Sequence, residues 1–116
     1  MKTEQLKVIA EAMGIKVQLD KKAKVLIILE NVNSWIIDEF PSGQLVWNPE
    51  TDWSQTGMVL KWLEELDCHV TFAYSMLAKE WRVAIVSTAK RIEIRLQHKD
   101  FQTAICMVAF EIIKIK

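Results

Sequence analysis

The chain has 116 residues, 51% of them apolar and 26% charged, with fifteen basic residues balanced by fifteen acidic ones. That length and apolar fraction support one domain, residues 1–116, with a real core, and exclude extended disorder. Zero formal charge argues against nucleic acid as the main partner, since phosphate neutralisation needs a basic excess, and it eases self-association.

Thr3 to Met13 reads as a helix: Leu6, Ile9, Ala10 and Met13 fall at i, i+3, i+4 and i+7, with Lys7 and Glu11 facing water. Thr3 is the expected cap, and Gly14 stands where a left-handed residue commonly ends a helix. The period then changes to two as Ile15, Val17 and Leu19 alternate with Lys16, Gln18 and Asp20, which predicts a strand. Asp20 to Lys24 is a charged turn. Val25 to Leu29 is a continuous apolar run, expected as a strand buried on both faces. A shorter strand is expected at Trp35-Ile36-Ile37. Pro41-Ser42-Gly43 signals a turn before a strand at Leu45-Val46-Trp47.

A second helix is predicted from Asp52 to Leu66. Asp52 with Gln55 forms a capping-box pattern, while Asn48 before Pro49 offers an alternative start. Val59, Leu60, Leu63 and Leu66 form its expected stripe, with Trp62 at the margin. Gly57 costs about 1 kcal/mol relative to Ala inside a helix, so a close backbone neighbour is expected there. Alternation then predicts strands at Val70–Tyr74, Trp81–Ile85 and Ile92–Leu96, the last two joined as a hairpin through Ser87 to Lys90. Asp100 caps a last helix, to about Lys114, that is apolar around most of its girth. Such a helix is either central to the fold or part of a dimer interface. The expected class is α+β, a mainly antiparallel sheet with three helices packed on it, in the order α-β-β-(β)-α-β-β-β-α.

Two cysteines, Cys68 and Cys106, are too few for a secreted scaffold and read as buried thiols in a reducing compartment. Charges at Lys2, Glu4, Lys7 and Glu11 argue against a secretory leader. The longest apolar run, Ala104 to Phe110, falls far short of the ~20 residues that span a bilayer. A cytoplasmic, non-membrane protein is expected.

Trp47-Asn48-Pro49-Glu50-Thr51-Asp52-Trp53, opening an amphipathic helix, resembles the mid-chain motif of the phage ABA sandwich domain family. The Trp81 strand, the helix segment Thr103 to Phe110 and the opening Leu6 to Gly14 are similar to the family's layout. The resemblance implies helices packed on a central sheet and an origin in a tailed phage or prophage. It implies no general activity. The Lys21 to Phe40 region carries more strand-like sequence than that layout contains.

Candidate sites are few. Cys68, His69, His98 and Cys106 include metal-ligand types, but their spacing fits no paired-ligand zinc pattern, so neither metal nor cofactor is expected. Adjacent on a strand, Cys68 and His69 point to opposite faces and cannot act as a thiol–imidazole pair. Glu50 with Asp52, and Glu64 with Glu65, are better read as structural acids than as a catalytic pair, with Asp52 and Pro49 marking the helix start. If Val86 pairs with Arg91, Arg82 lies opposite Arg95. Like charges so placed want a counter-ion, supplied by Glu93 or by an anionic partner, and Arg91 adds to that face. Trp35, Trp47 and Trp53 either close the core or present rings to a partner.

These residues point to a non-enzymatic phage accessory protein that binds a host or phage protein, such as an anti-CRISPR-like inhibitor of an antiviral defence system. The alternative is a small-molecule or nucleotide-binding domain using the basic sheet face. A homodimer is a further expectation.

Overall fold

The computed structural model describes residues 1–22, 24–31, 45–88 and 91–115. They form an α+β structure in the order α-β-β-β-α-β-β-β-α, as the sequence predicts, with every strand pair antiparallel. Two compact units divide the chain at Asn48 and Pro49. Each holds a three-stranded sheet.

The first unit comprises α1 (Thr3–Ala12), β1 (Ile15–Asp20), β2 (Val25–Asn31) and β3 (Leu45–Trp47). Leu6, Ile9, Ala10 and Met13 are buried, which is the predicted stripe. The cap is Lys2 rather than Thr3: Lys2 is extended, and its backbone N–H donates to Gln5 Oε1 at 2.9 Å. Gly14 has φ 83°, the left-handed conformation that turns the chain into β1. Asp20 organises the β1–β2 turn, where its carbonyl accepts from Lys24 N–H at 2.7 Å and its Oδ1 from Lys22 N–H at 3.0 Å.

The order of this sheet is β1-β2-β3, with a register irregularity between Lys16 and Val17. The expected two-sided burial of β2 does not hold. Leu26 is buried but Leu29 is 61% exposed; among the described residues of this unit, α1 is the one helix that packs on the sheet. Trp47 pairs with Leu26 across β2–β3 and is 1% exposed. Its indole N–H donates to the Leu6 carbonyl at 2.9 Å, tying β3 to α1. The predicted strand at Trp35–Ile37 and the turn at Pro41–Gly43 lie outside the described residues.

The second unit comprises α2 (Trp53–Glu65), β4 (His69–Ser75), β5 (Glu80–Ser87), β6 (Ile92–His98) and α3 (Phe101–Ile115). Asp52 is the cap of α2, and its Oδ1 accepts from Gln55 N–H at 3.1 Å. The buried stripe of α2 is Gln55, Thr56, Val59, Trp62 and Leu63. It is rotated from the predicted one, bringing Trp62 inside and leaving Leu60 and Leu66 at the margin. Gly57 is exposed, and a Cβ there would meet nothing within 4 Å among the described residues, so none of their backbones requires it.

α3 packs on β5 and β6, and α2 on β4. Ala104, Ile105, Cys106, Val108, Ala109 and Ile112 of α3 are at most 1% exposed. That side of the helix is therefore covered within the chain, while Phe101, Met107, Phe110 and Ile113 are half-buried and Ile115 is exposed.

The β5–β6 hairpin differs from the predicted register. Strand β5 runs to Ser87, β6 begins at Ile92, and Arg91 takes a left-handed φ of 53° where the turn enters β6. Arg82 then faces Gln97, Ala84 faces Arg95 and Val86 faces Glu93. The expected Arg82–Arg95 opposition is absent. The turn takes one residue more from the C-terminal side than predicted, which moves every partner by two and leaves the faces unchanged.

Candidate functional site

Helices α2 and α3 begin side by side. Asp100 caps α3 as Asp52 caps α2, with its Oδ2 accepting from Thr103 N–H at 2.9 Å. A buried polar network joins the two starts. Thr56 Oγ1 lies 2.6 Å from the Pro49 carbonyl, to which it donates, and accepts from Gln102 Nε2 at 3.1 Å. The Thr103 hydroxyl lies within donating distance of Glu50 Oε2 at 2.8 Å and Asp100 Oδ2 at 2.6 Å. Pro49 thus contributes a carbonyl acceptor as well as a turn before the helix.

That network sets the first residues of the two helices against each other. Trp53 and Phe101 stack with centroids 5.9 Å apart and an interplanar angle of 22°. Phe72 on β4 and Trp81 on β5 each meet Phe101 edge-on or tilted at 4.9 Å. Tyr74 closes on Trp81 at 5.3 Å. These are favourable aromatic geometries. Five rings therefore form one continuous cluster where the sheet extends past the helix starts.

Much of this cluster faces water. Trp53 is 64% exposed, and Phe72 and Tyr74 are about half exposed. Strand β4 leads from them into the β4–β5 turn, where Met76 and Leu77 are almost wholly exposed. Lys79, with φ 54°, closes that turn. A run of large apolar groups of this kind on the surface marks an interaction site more often than a solvated face. Aromatic and Met side chains are the types enriched at protein interfaces.

The outer face of the second sheet carries the other predicted residues. Arg82, Arg95, Ala73, Ala84, Thr71 and Gln97 border an open cleft of about 500 Å³. Arg95 is already committed to Glu93, with Nη2 and Nε at 2.6 and 2.8 Å from Oε1. Glu93 is thus the counter-ion, and the case for an anionic partner here loses its main support. Arg91 is exposed in the hairpin turn. Of the three tryptophans singled out, Trp53 joins the exposed cluster, Trp47 is a core residue and not a binding residue, and Trp35 lies outside the described residues.

Thiol chemistry finds no support. Cys68 lies just before β4 rather than on it, and is buried, while His69, the first residue of the strand, is exposed. Burial pushes the Cys106 thiol up to about 12, with the Glu50 and Asp100 carboxylates adding to the effect. It is a protonated core group at neutral pH. Among the described residues no group of three or more His, Cys, Asp or Glu side chains could hold a metal, and no helix is long and apolar enough to cross a membrane.

Phe72, Tyr74, Met76, Leu77 and Phe101 were not among the residues singled out from the sequence. The alternation on β4 marks Phe72 and Tyr74 as inward-facing but cannot show where the helices stop covering them. Met76-Leu77 between two strands was a usable signal, since a turn seldom spends two large apolar residues on solvent. No family model, no curated protein and no solved structure matches the chain.

Proposed function

We propose that this chain is a non-enzymatic protein-binding module of phage or prophage origin, related to the phage ABA sandwich family and acting in the bacterial cytoplasm. The observation that carries the binding role is the exposed aromatic end of the second unit: Trp53, Phe72 and Tyr74, continued by Met76 and Leu77. The three rings are rigid, so little conformational entropy is lost when a partner covers them. Trp and Tyr dominate binding hot spots for the same reason. Phage origin rests on the resemblance carried by the sequence motif Trp47 to Trp53. The role proposed within that class is inhibition of a host antiviral complex by occupying one of its surfaces.

Expressing the protein in hosts carrying a panel of defence systems tests this reading. Phage growth is expected to be restored on at least one of them, and Trp53→Ala with Leu77→Asp is expected to abolish the rescue while the domain stays folded. Rescue unaffected by the paired substitution would remove the aromatic end from the mechanism.

A second reading, binding of a small anionic ligand such as a nucleotide, is favoured by a cleft in the first unit. Lys2, Lys7, Lys21 and Lys24 line it with Thr3 and one carboxylate, Glu4, over Leu19 and Leu26, a net excess of positive charge. Melting-temperature shifts with nucleotides, lost on replacing Lys21 and Lys24 by Glu, would support this reading.

A further inference from the structure

Sheet edges are templates for pairing with another chain, and folded proteins blunt them with charges, bulges or short length. Three of the four described edges are blunted. β1 carries Lys16 and Asp20 and breaks register between Lys16 and Val17. β3 has only three residues. β6 exposes the Glu93–Arg95 ion pair. β4 has none of these devices. Its seven residues, His-Val-Thr-Phe-Ala-Tyr-Ser, include no Lys, Arg, Asp, Glu, Pro or Gly, and its pairing with β5 is regular throughout. All seven are exposed or half-buried.

We propose that β4 pairs with β4 of a second copy of this chain, antiparallel about a two-fold axis, joining two three-stranded sheets into one of six strands. Pairing over the full strand centres the axis on Phe72. Thr71 then faces the partner copy's Ala73, and Val70 faces its Tyr74. No charge opposes a like charge anywhere in that register, the condition an isologous contact must meet. Phe72 and Tyr74 from both copies form one apolar stripe on the helix side, while Thr71 and Ala73 form a small, uncharged stripe on the other. The zero net charge of the chain adds no long-range repulsion. This pairing is made by the backbone edge and goes beyond the partner-binding role proposed above, but it shares Phe72 and Tyr74 with that surface and sets the two aromatic ends side by side.

Sedimentation velocity across a concentration series tests the proposal with two variants at exposed positions. Thr71→Lys with Ala73→Lys sets like charges across the axis twice and is expected to weaken the dimer by about tenfold or more. Thr71→Lys with Ala73→Glu sets opposite charges across the same contacts and is expected to keep it. Circular dichroism confirms that both remain folded. A wild-type chain that stays monomeric at several hundred micromolar, or a dimer equally strong in both variants, would overturn the proposal. Trp53→Ala with Leu77→Asp leaves the edge intact and is expected to dimerise normally, which separates this outcome from failure of the binding role.

Discussion

Replacing Thr56 by Val probes the network that holds the aromatic end together. The side chain is 1% exposed and nearly isosteric with Val, so the change removes a hydroxyl without opening a cavity. The change removes the hydroxyl's donation to the Pro49 carbonyl at 2.6 Å, with the Asp52 carbonyl also in reach at 3.0 Å, and its acceptance from Gln102 Nε2 at 3.1 Å. A hydrogen bond contributes roughly 1 kcal/mol net, and a buried donor left without a partner costs about 1–3 kcal/mol more. Gln102 is itself buried, so a loss of about 2–3 kcal/mol is expected from denaturant titration, with an unchanged m-value. Gln102→Leu removes the orphaned amide. The double variant Thr56→Val with Gln102→Leu is therefore expected to be more stable than the sum of the two losses, by on the order of 1 kcal/mol. Strict additivity, or a Thr56→Val loss below about 0.5 kcal/mol, would refute the coupling.

Asp52→Ala should cost about 1 kcal/mol through loss of the bond from Gln55 N–H, read as a lower denaturation midpoint. Gly57→Ala should gain about 0.5–1 kcal/mol, because the site is helical, exposed and open to a Cβ. The Cys106 thiol is raised from 9.0 to about 12 by burial, so the unfolded chain releases that proton first as pH rises. The stability tied to its neutral form is full below pH 9 and falls between pH 9 and about 12, at up to about 1.4 kcal/mol per unit. Iodoacetamide at pH 8 should accordingly label Cys106 only after unfolding. Elemental analysis of purified protein should find no stoichiometric metal, and random DNA should not be retarded at physiological salt.

Local chemistry explains what could be read in advance. Periodicity in α1, β1 and α3, the Asp52 and Asp100 caps, Gly14 and the Asp20 turn each depend on neighbours in sequence, and each stands where expected. Long-range geometry was less accessible. The β5–β6 turn carries no Gly or Asn to fix its register, and the left-handed residue proved to be Arg91. The α2 stripe turned toward Gln55 and Thr56 because Pro49 and Gln102, distant in the chain, supply their hydrogen bonding. Trp47 shows the same limit, since its burial depends on the Leu6 carbonyl forty-one residues away. The exposed aromatic end was hidden for a related reason. Phe72 and Tyr74 alternate like core residues, and only the positions of Trp53 and Phe101 at the helix starts reveal where coverage ends.

The most direct measurement is quantitative affinity capture from phage-infected cells after brief crosslinking. Wild-type protein is compared with a Trp53→Ala, Leu77→Asp variant of equal stability. The expected result is a defined host or phage protein recovered in stoichiometric amount by the wild type and depleted at least tenfold by the variant. Equal recovery by both proteins would contradict the claim that the aromatic end is the binding surface.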